Sequence, residues 1–209
     1  MLVGWFDRRV MERVGFLNYE QIARLLYVAS EMQPLRIPML ALKIFSGLRN
    51  SEYFRLTWSE VKSKQVEVLA AFAKTGRHRP IKVHPTLTEW LKGKPGKPQD
   101  QVFGINPASK DREACWLWYF TPIWEAALPE FKKWPQNALR HPFGSHYCAR
   151  TNSISETAYE MGNSGGVVKR HYINAIKDDD CTRFWRLTPA IAESIADKIP
   201  AQGSDASLE

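Results

Sequence analysis

The 209-residue sequence predicts a mainly α-helical domain with a small antiparallel β-sheet. Three observations carry that reading. Capped segments with apolar residues at helical spacing fill most of the chain. Two short alternating segments, KQVEV and RPIKV, lie either side of the turn signal AKTG. A 44% apolar content, with eight tryptophans and ten phenylalanines, is enough for one packed core.

The elements follow in chain order. NYEQIARLLYVAS opens on Asn18 with Gln21 three residues later, a capping-box pattern, and Ile22, Leu25, Leu26 and Ala29 share one helical face. IPMLALKIFSG is more continuously apolar and ends on Gly47, which predicts a buried helix with a glycine stop. In NSEYFRLTW, Asn50 or Ser51 is the candidate cap and Glu52 falls in the first turn, so Arg49 sits in a tight connection between helices. Two or three short strands follow, with Lys74 at or near the hairpin tip. PTLTEWL reads as a helix started by Pro85 or Thr86. KGKPGKPQD is a surface loop. REACWLWYFTPIWEAAL is an aromatic-rich helix that Pro122 should kink or divide. The last helical pieces are NALRHPFGSHYCAR (interrupted near Pro142), SISETAYEM closed by Gly162, GVVKRHYINAI, and a partly amphipathic CTRFWRLTPAIAESIADKI.

Composition narrows the function classes. A net charge of +7 favours polyanionic partners. Cys115, Cys148 and Cys181 form no CxxC pair, which argues against a disulfide framework and a zinc site and points to a reducing, cytoplasmic setting. No apolar run reaches the length of a membrane span, and the first residues lack a signal peptide's apolar region.

Four segments carry more specific information. FSGLRNSEYFRLTW resembles the first arginine box of the tyrosine recombinase (phage integrase) family, a G-L-R-x-S-E pattern. AKTGRHRPIKV resembles its β-hairpin lysine segment. NALRHPFGSHY resembles its second box, H-x-L-R-H. MGNSGGVVKRHY resembles its closing L-G-H-S box, in which the tyrosine follows the histidine by nine residues, as Tyr172 follows Asn163. The four occur in the family's order.

The resemblance implies the integrase catalytic-domain fold and site-specific cleavage and rejoining of double-stranded DNA through a 3′-phosphotyrosyl intermediate, with no cofactor and no metal ion. Residue by residue it implies Tyr172 as nucleophile, Arg49 and Arg140 as phosphate clamps and Lys74 as general acid. Asn137 and Asn163 stand at diverged active-site positions, and Arg77, Arg79, Lys169 and Arg170 would touch DNA. Guanidinium suits the clamp because it stays protonated and its planar fork can bind two phosphate oxygens. Taken apart from the boxes, Arg49 and Arg140 read as helix-surface arginines making salt bridges. Glu52 reads as structural, His141 and His146 as packing or hydrogen-bonding groups, and Trp116, Trp118 and Trp124 as core.

Two departures qualify the match. The family carries histidine where this chain has Asn137, and histidine or tryptophan where it has Asn163. An amide holds a hydrogen bond but cannot take up a proton at neutral pH. His171 and His78 are possible substitutes. A DNA-binding protein that no longer cuts is therefore the alternative reading. Complete recombinases of this kind carry a core-binding domain before the catalytic one. Residues 1–17 are accordingly expected to be a lead-in, a remnant or linker of such a domain, with 18–200 the catalytic domain and 201–209 a flexible tail. DNA binding should be weak and strongly salt-dependent, and further copies of the chain should assemble on DNA.

Overall fold

The computed structural model describes residues 16–73, 76–93, 96–103, 112–173, 176 and 178–196. It is mostly helical, with one two-stranded antiparallel sheet. Helix α1 (Tyr19–Met32) begins with the expected box: Asn18 Oδ1 accepts from the Gln21 backbone N–H at 2.8 Å, and the Asn18 N–H donates to Gln21 Oε1 at 3.0 Å. Helix α2 (Ile37–Ser46) is buried from Pro38 onward and ends at Gly47, whose φ of 60° is the left-handed stop foreseen for it. A single turn, α3 (Asn50–Tyr53), follows. Its cap is Arg49, not Asn50 or Ser51, because Glu52 reaches back to accept the Arg49 backbone N–H at 2.9 Å.

Strands β1 (Gln65–Val68) and β2 (Arg79–Lys82) pair with Gln65 opposite Lys82 and Val68 opposite Arg79. Helix α4 (Pro85–Trp90) starts on Pro85, where a missing N–H is harmless. Helix α5 (Arg112–Ala127) runs through Pro122 undivided. Pro142 likewise does not interrupt a helix: it lies in the first turn of α6 (His141–Thr151), where the ring is tolerated. Helices α7 (Ile154–Met161), α8 (Gly165–His171), α9 (Asp178–Phe184) and α10 (Pro189–Ala196) complete the order. Helix α8 stops at Tyr172, so the nucleophile candidate caps a helix instead of riding within one.

Helix α2 is the central element, packed against α1, α4 and α6, with Leu40, Leu42, Ile44 and Phe45 fully buried. Strand β2 packs on α7, and α10 lies along α1 of its own chain. Trp116 and Trp124 join the core as expected; Trp118 does not, being 80% exposed because it faces away from the buried side of α5. Phe16 and Leu17, assigned to the lead-in, are buried in the same core. Among the described residues no helix is long and apolar enough to cross a membrane.

Candidate active site

The turn after α2 places the first guanidinium. Gly47 takes a left-handed φ, and a Cβ there would collide with the Phe143 ring. The chain therefore reverses tightly, and Arg49 emerges beside Glu52, with Nη1 3.0 Å from Oε1. Arg49 Nη2 donates to Gly162 O and, at 3.1 Å, to Asn163 Oδ1. Arg140, the cap of α6, is 8% exposed and reaches the same place from the other side. Its Nη1 donates to Gly47 O, and its Nη2 to Met161 O at 2.7 Å and Asn163 Oδ1 at 3.2 Å. Two guanidinium groups from distant segments thus share one carboxamide oxygen.

Glu52 holds a third arginine. Arg79 Nη1 and Nη2 donate to Glu52 Oε1 and Oε2 at 3.2 and 3.1 Å. Burial alone would raise the Glu52 pKa, but the hydrogen bonds and charges of Arg79 and Arg49 together hold it below its ordinary value. Arg79 was expected among the DNA contacts. At 4% exposure, paired to a buried carboxylate, it is instead an internal brace behind Arg49. Gly162 leaves room for this arrangement: a Cβ there would strike Arg79 Nη1 and lie 2.8 Å from Arg49 Nη1.

Tyr172 enters the cluster from the end of α8. It is 4% exposed, and its hydroxyl lies 3.3 Å from His141 Nδ1. Burial raises the phenol pKa; the charges of Arg140 and Arg49 and a hydrogen bond from Arg140 oppose the rise. Burial, then the neighbouring charge of Arg49, brings Arg140 down to about 10, which still leaves it protonated at neutral pH. His141 is lowered to about 4 by burial first, then by His171 and Arg140, so it is neutral at pH 7. The sequence reads His141 as a packing or hydrogen-bonding group, and the contact with Tyr172 is such a hydrogen bond. Only its adjacency to Arg140 could have signalled more.

The remaining candidates divide. Asn137, Asn163, Arg49, Arg140, His141, His171 and Tyr172 line one open cleft of about 1510 Å³. Asn137 is exposed there with a φ of 59°, a left-handed conformation that asparagine tolerates better than most residues. Its carbonyl accepts from the N–H groups of Arg140 and His141 at 2.8 and 3.0 Å, so Asn137 shapes the turn into α6. Arg77, Lys169 and Arg170 are exposed. His78 contacts Glu67 at 2.5 Å on the hairpin and is not part of the cleft lining. Lys74 lies outside the described residues. His146 is buried and stacked on Phe184, with ring centroids 4.0 Å apart, in keeping with a packing role.

The sequence matches no protein-family model and no curated protein. Solved structures do match. XerA recombinase aligns with a TM-score of 0.60 at 15% identity, over 82% of this chain and 62% of its own. XerH site-specific recombinase, bound to palindromic difH substrate in a post-cleavage complex, aligns with a TM-score of 0.59 at 14% identity, over 83% of this chain and 54% of its own. The pre-cleavage difH complex of XerH aligns with a TM-score of 0.58 at 14% identity, over 79% and 52%. This chain has the Xer recombinase fold. It spans between about half and three-fifths of the length of these proteins. The Xer-like architecture accounts for the mainly helical build and the small antiparallel sheet of the described residues.

Proposed function

We propose that the chain is the catalytic domain of a site-specific DNA recombinase that cuts and rejoins double-stranded DNA through a phosphotyrosyl bond to Tyr172. The observation that carries this reading is the meeting of Arg49 and Arg140 on one acceptor, Asn163 Oδ1, with the Tyr172 hydroxyl in the same cleft. A carboxamide oxygen accepting from two guanidinium groups stands where a non-bridging phosphate oxygen would be held. A phosphodiester entering there exchanges a neutral acceptor for an anionic one, which the buried Arg140 and the half-buried Arg49 favour.

In the cleavage step, Tyr172 Oη bonds to phosphorus and the bond from phosphorus to the 5′-oxygen breaks. The departing 5′-oxygen takes a proton from Lys74, in the general-acid role that the resemblance assigns. The 3′-phosphotyrosyl bond retains the energy of the broken linkage, so attack by a 5′-hydroxyl reseals DNA without ATP. Exposed Arg77, Lys169 and Arg170 supply sequence-independent backbone contacts. Further copies of the chain assemble on the DNA to exchange strands, as in integration or excision of a mobile element, in the cytoplasm.

A second reading, a DNA-binding protein on this fold that no longer cuts, draws on Asn163 occupying both arginines and on the 4% exposure of Tyr172. A pool of nicked duplexes of randomised sequence separates the two. Loss of a short 5′-hydroxyl fragment traps a cutting enzyme on its DNA. The recombinase reading expects covalent retention by the wild-type chain and none by Tyr172→Phe. Non-covalent binding alone supports the second reading.

A further inference from the structure

The asparagines at positions 137 and 163 leave the phenol without the imidazole partners that the resemblance would supply. The cleft around Tyr172 contains no carboxylate among its described lining residues. The imidazoles among the described lining residues are His141 and His171. Their geometry differs. His171 belongs to α8, and its ring centroid stands 6.3 Å from that of Tyr172. His141 begins α6 and presents Nδ1 to the Tyr172 hydroxyl at 3.3 Å.

We propose that His141 Nδ1 is the proton acceptor that activates Tyr172, a catalytic residue additional to those carried over from the family pattern. The assignment rests on the recombinase reading above. As the Oη–P bond forms, the phenol proton passes to Nδ1, giving an imidazolium with both nitrogens protonated. When a 5′-hydroxyl attacks the phosphotyrosyl bond, that proton returns to the departing phenol oxygen. The contact of 3.3 Å is long for O–H···N, as catalytic hydrogen bonds often are before substrate tightens the site.

The surroundings fit an acceptor. The Phe16 ring packs on His141 with centroids 4.9 Å apart, and α6 holds its backbone. Arg140 and His171 are the charged and titratable neighbours that lower its proton affinity, and Tyr172 is the hydroxyl it faces. With no DNA bound, the ring is neutral and its lone pair is available. A bound phosphodiester, gaining negative charge as phosphorus is attacked, offsets Arg140 and raises the proton affinity of His141 at the moment of transfer.

The test uses the nicked duplexes that wild-type protein retains covalently. His141→Gln keeps a hydrogen-bonding side chain and loses the proton acceptor. Its rate of covalent capture should fall by about 10²- to 10⁴-fold, with non-covalent retention of the same duplex unchanged. Added imidazole should restore capture in His141→Gly and should not do so in Tyr172→Phe. Capture by His141→Gln at the wild-type rate overturns the assignment while leaving the recombinase reading intact. A wild-type chain that captures no duplex overturns both. A measurement on unaltered protein covers the case of a variant that does not fold. The ¹⁵N shifts of His141 should report the Nε2–H tautomer, and an Nδ1–H tautomer, which would donate and not accept, contradicts the role.

Discussion

Tyr172 sits where two demands oppose each other. Burial favours the neutral phenol, while Arg140 and Arg49 favour the phenolate. Its position depends on Gly144, because a Cβ at that residue would lie 2.6 Å from Met161 Sδ and 2.9 Å from Tyr172 Cε1. The methionine can swing aside, but the phenol ring cannot without moving its hydroxyl. Gly144→Ala should therefore fold and bind DNA yet capture nicked duplex about 10- to 100-fold more slowly, since misplacement of about 1 Å has effects of that size. Capture at the wild-type rate would show that the ring has slack. The meeting of Arg49, Arg140, Asn163 and Tyr172 in one cleft could be expected from the sequence because each sits in a box with a recognisable spacing. The contact of His141 with Tyr172 could not, because its partner arrives from another helix and linear spacing shows no link between them. Arg79 was misread for the same reason: a basic residue on a hairpin reveals its charge but not the buried carboxylate that takes it up.

Among the elements, the connection from α2 to α3 does two jobs. It turns the chain at Gly47 and offers Gly47 O to Arg140, so the first arginine box physically supports the second. Gly47→Ala should destabilise the fold by about 2–4 kcal/mol, combining a left-handed backbone penalty with overpacking against Phe143. A chemical-denaturation midpoint unchanged from wild type would contradict this. The sequence signalled α1, α2, β1, β2 and α7 through caps, periodicity and terminal glycines. It signalled proline poorly. Pro122 reads as a kink or a division and Pro142 as an interruption, yet α5 is not divided and Pro142 lies in the first turn of α6. A proline's effect depends on which carbonyl or N–H it displaces, and that is set by where the helix begins. Trp118 shows a similar limit, since an apolar-rich helix leaves open which face is covered.

At the scale of the whole molecule, the buried imidazole of His146 and the half-buried ones of His84 and His141 make stability acid-sensitive. Burial lowers His84 and His141 to about 4 and His146 to about 3, with charged neighbours adding to the effect at the first two. Below about pH 6.5 the unfolded chain binds protons that the folded chain refuses, so stability is complete above that value and declines toward the folded pKa values. Glu52, held low, adds a loss of the same sign at lower pH, as pH falls through its folded pKa. Glu160, raised by burial, runs the other way within the carboxylate range. Stability, and with it the melting temperature, should fall as pH drops from 7 to 5, by up to about 1.4 kcal/mol per pH unit from the fully buried His146 imidazole. His146→Phe should flatten that fall. A melting temperature constant over the range would contradict the burial of these groups.

The surface makes a separate prediction. Lys132 and Lys133 are exposed on the cleft rim, near the arginine pair. Replacing both with glutamine should weaken DNA binding uniformly across sequences and reduce the salt slope by about 0.9 for each phosphate that is no longer neutralised. An unchanged slope would place the DNA elsewhere. The central claim remains that one phosphate is addressed by Arg49, Arg140 and the phenol together. Peptide mass spectrometry of protein captured on nicked duplex tests it most directly. The account predicts a nucleotide joined through phosphate to Tyr172, absent when either arginine is replaced by glutamine; a nucleotide on any other residue, or capture that survives replacement of either arginine, would contradict it.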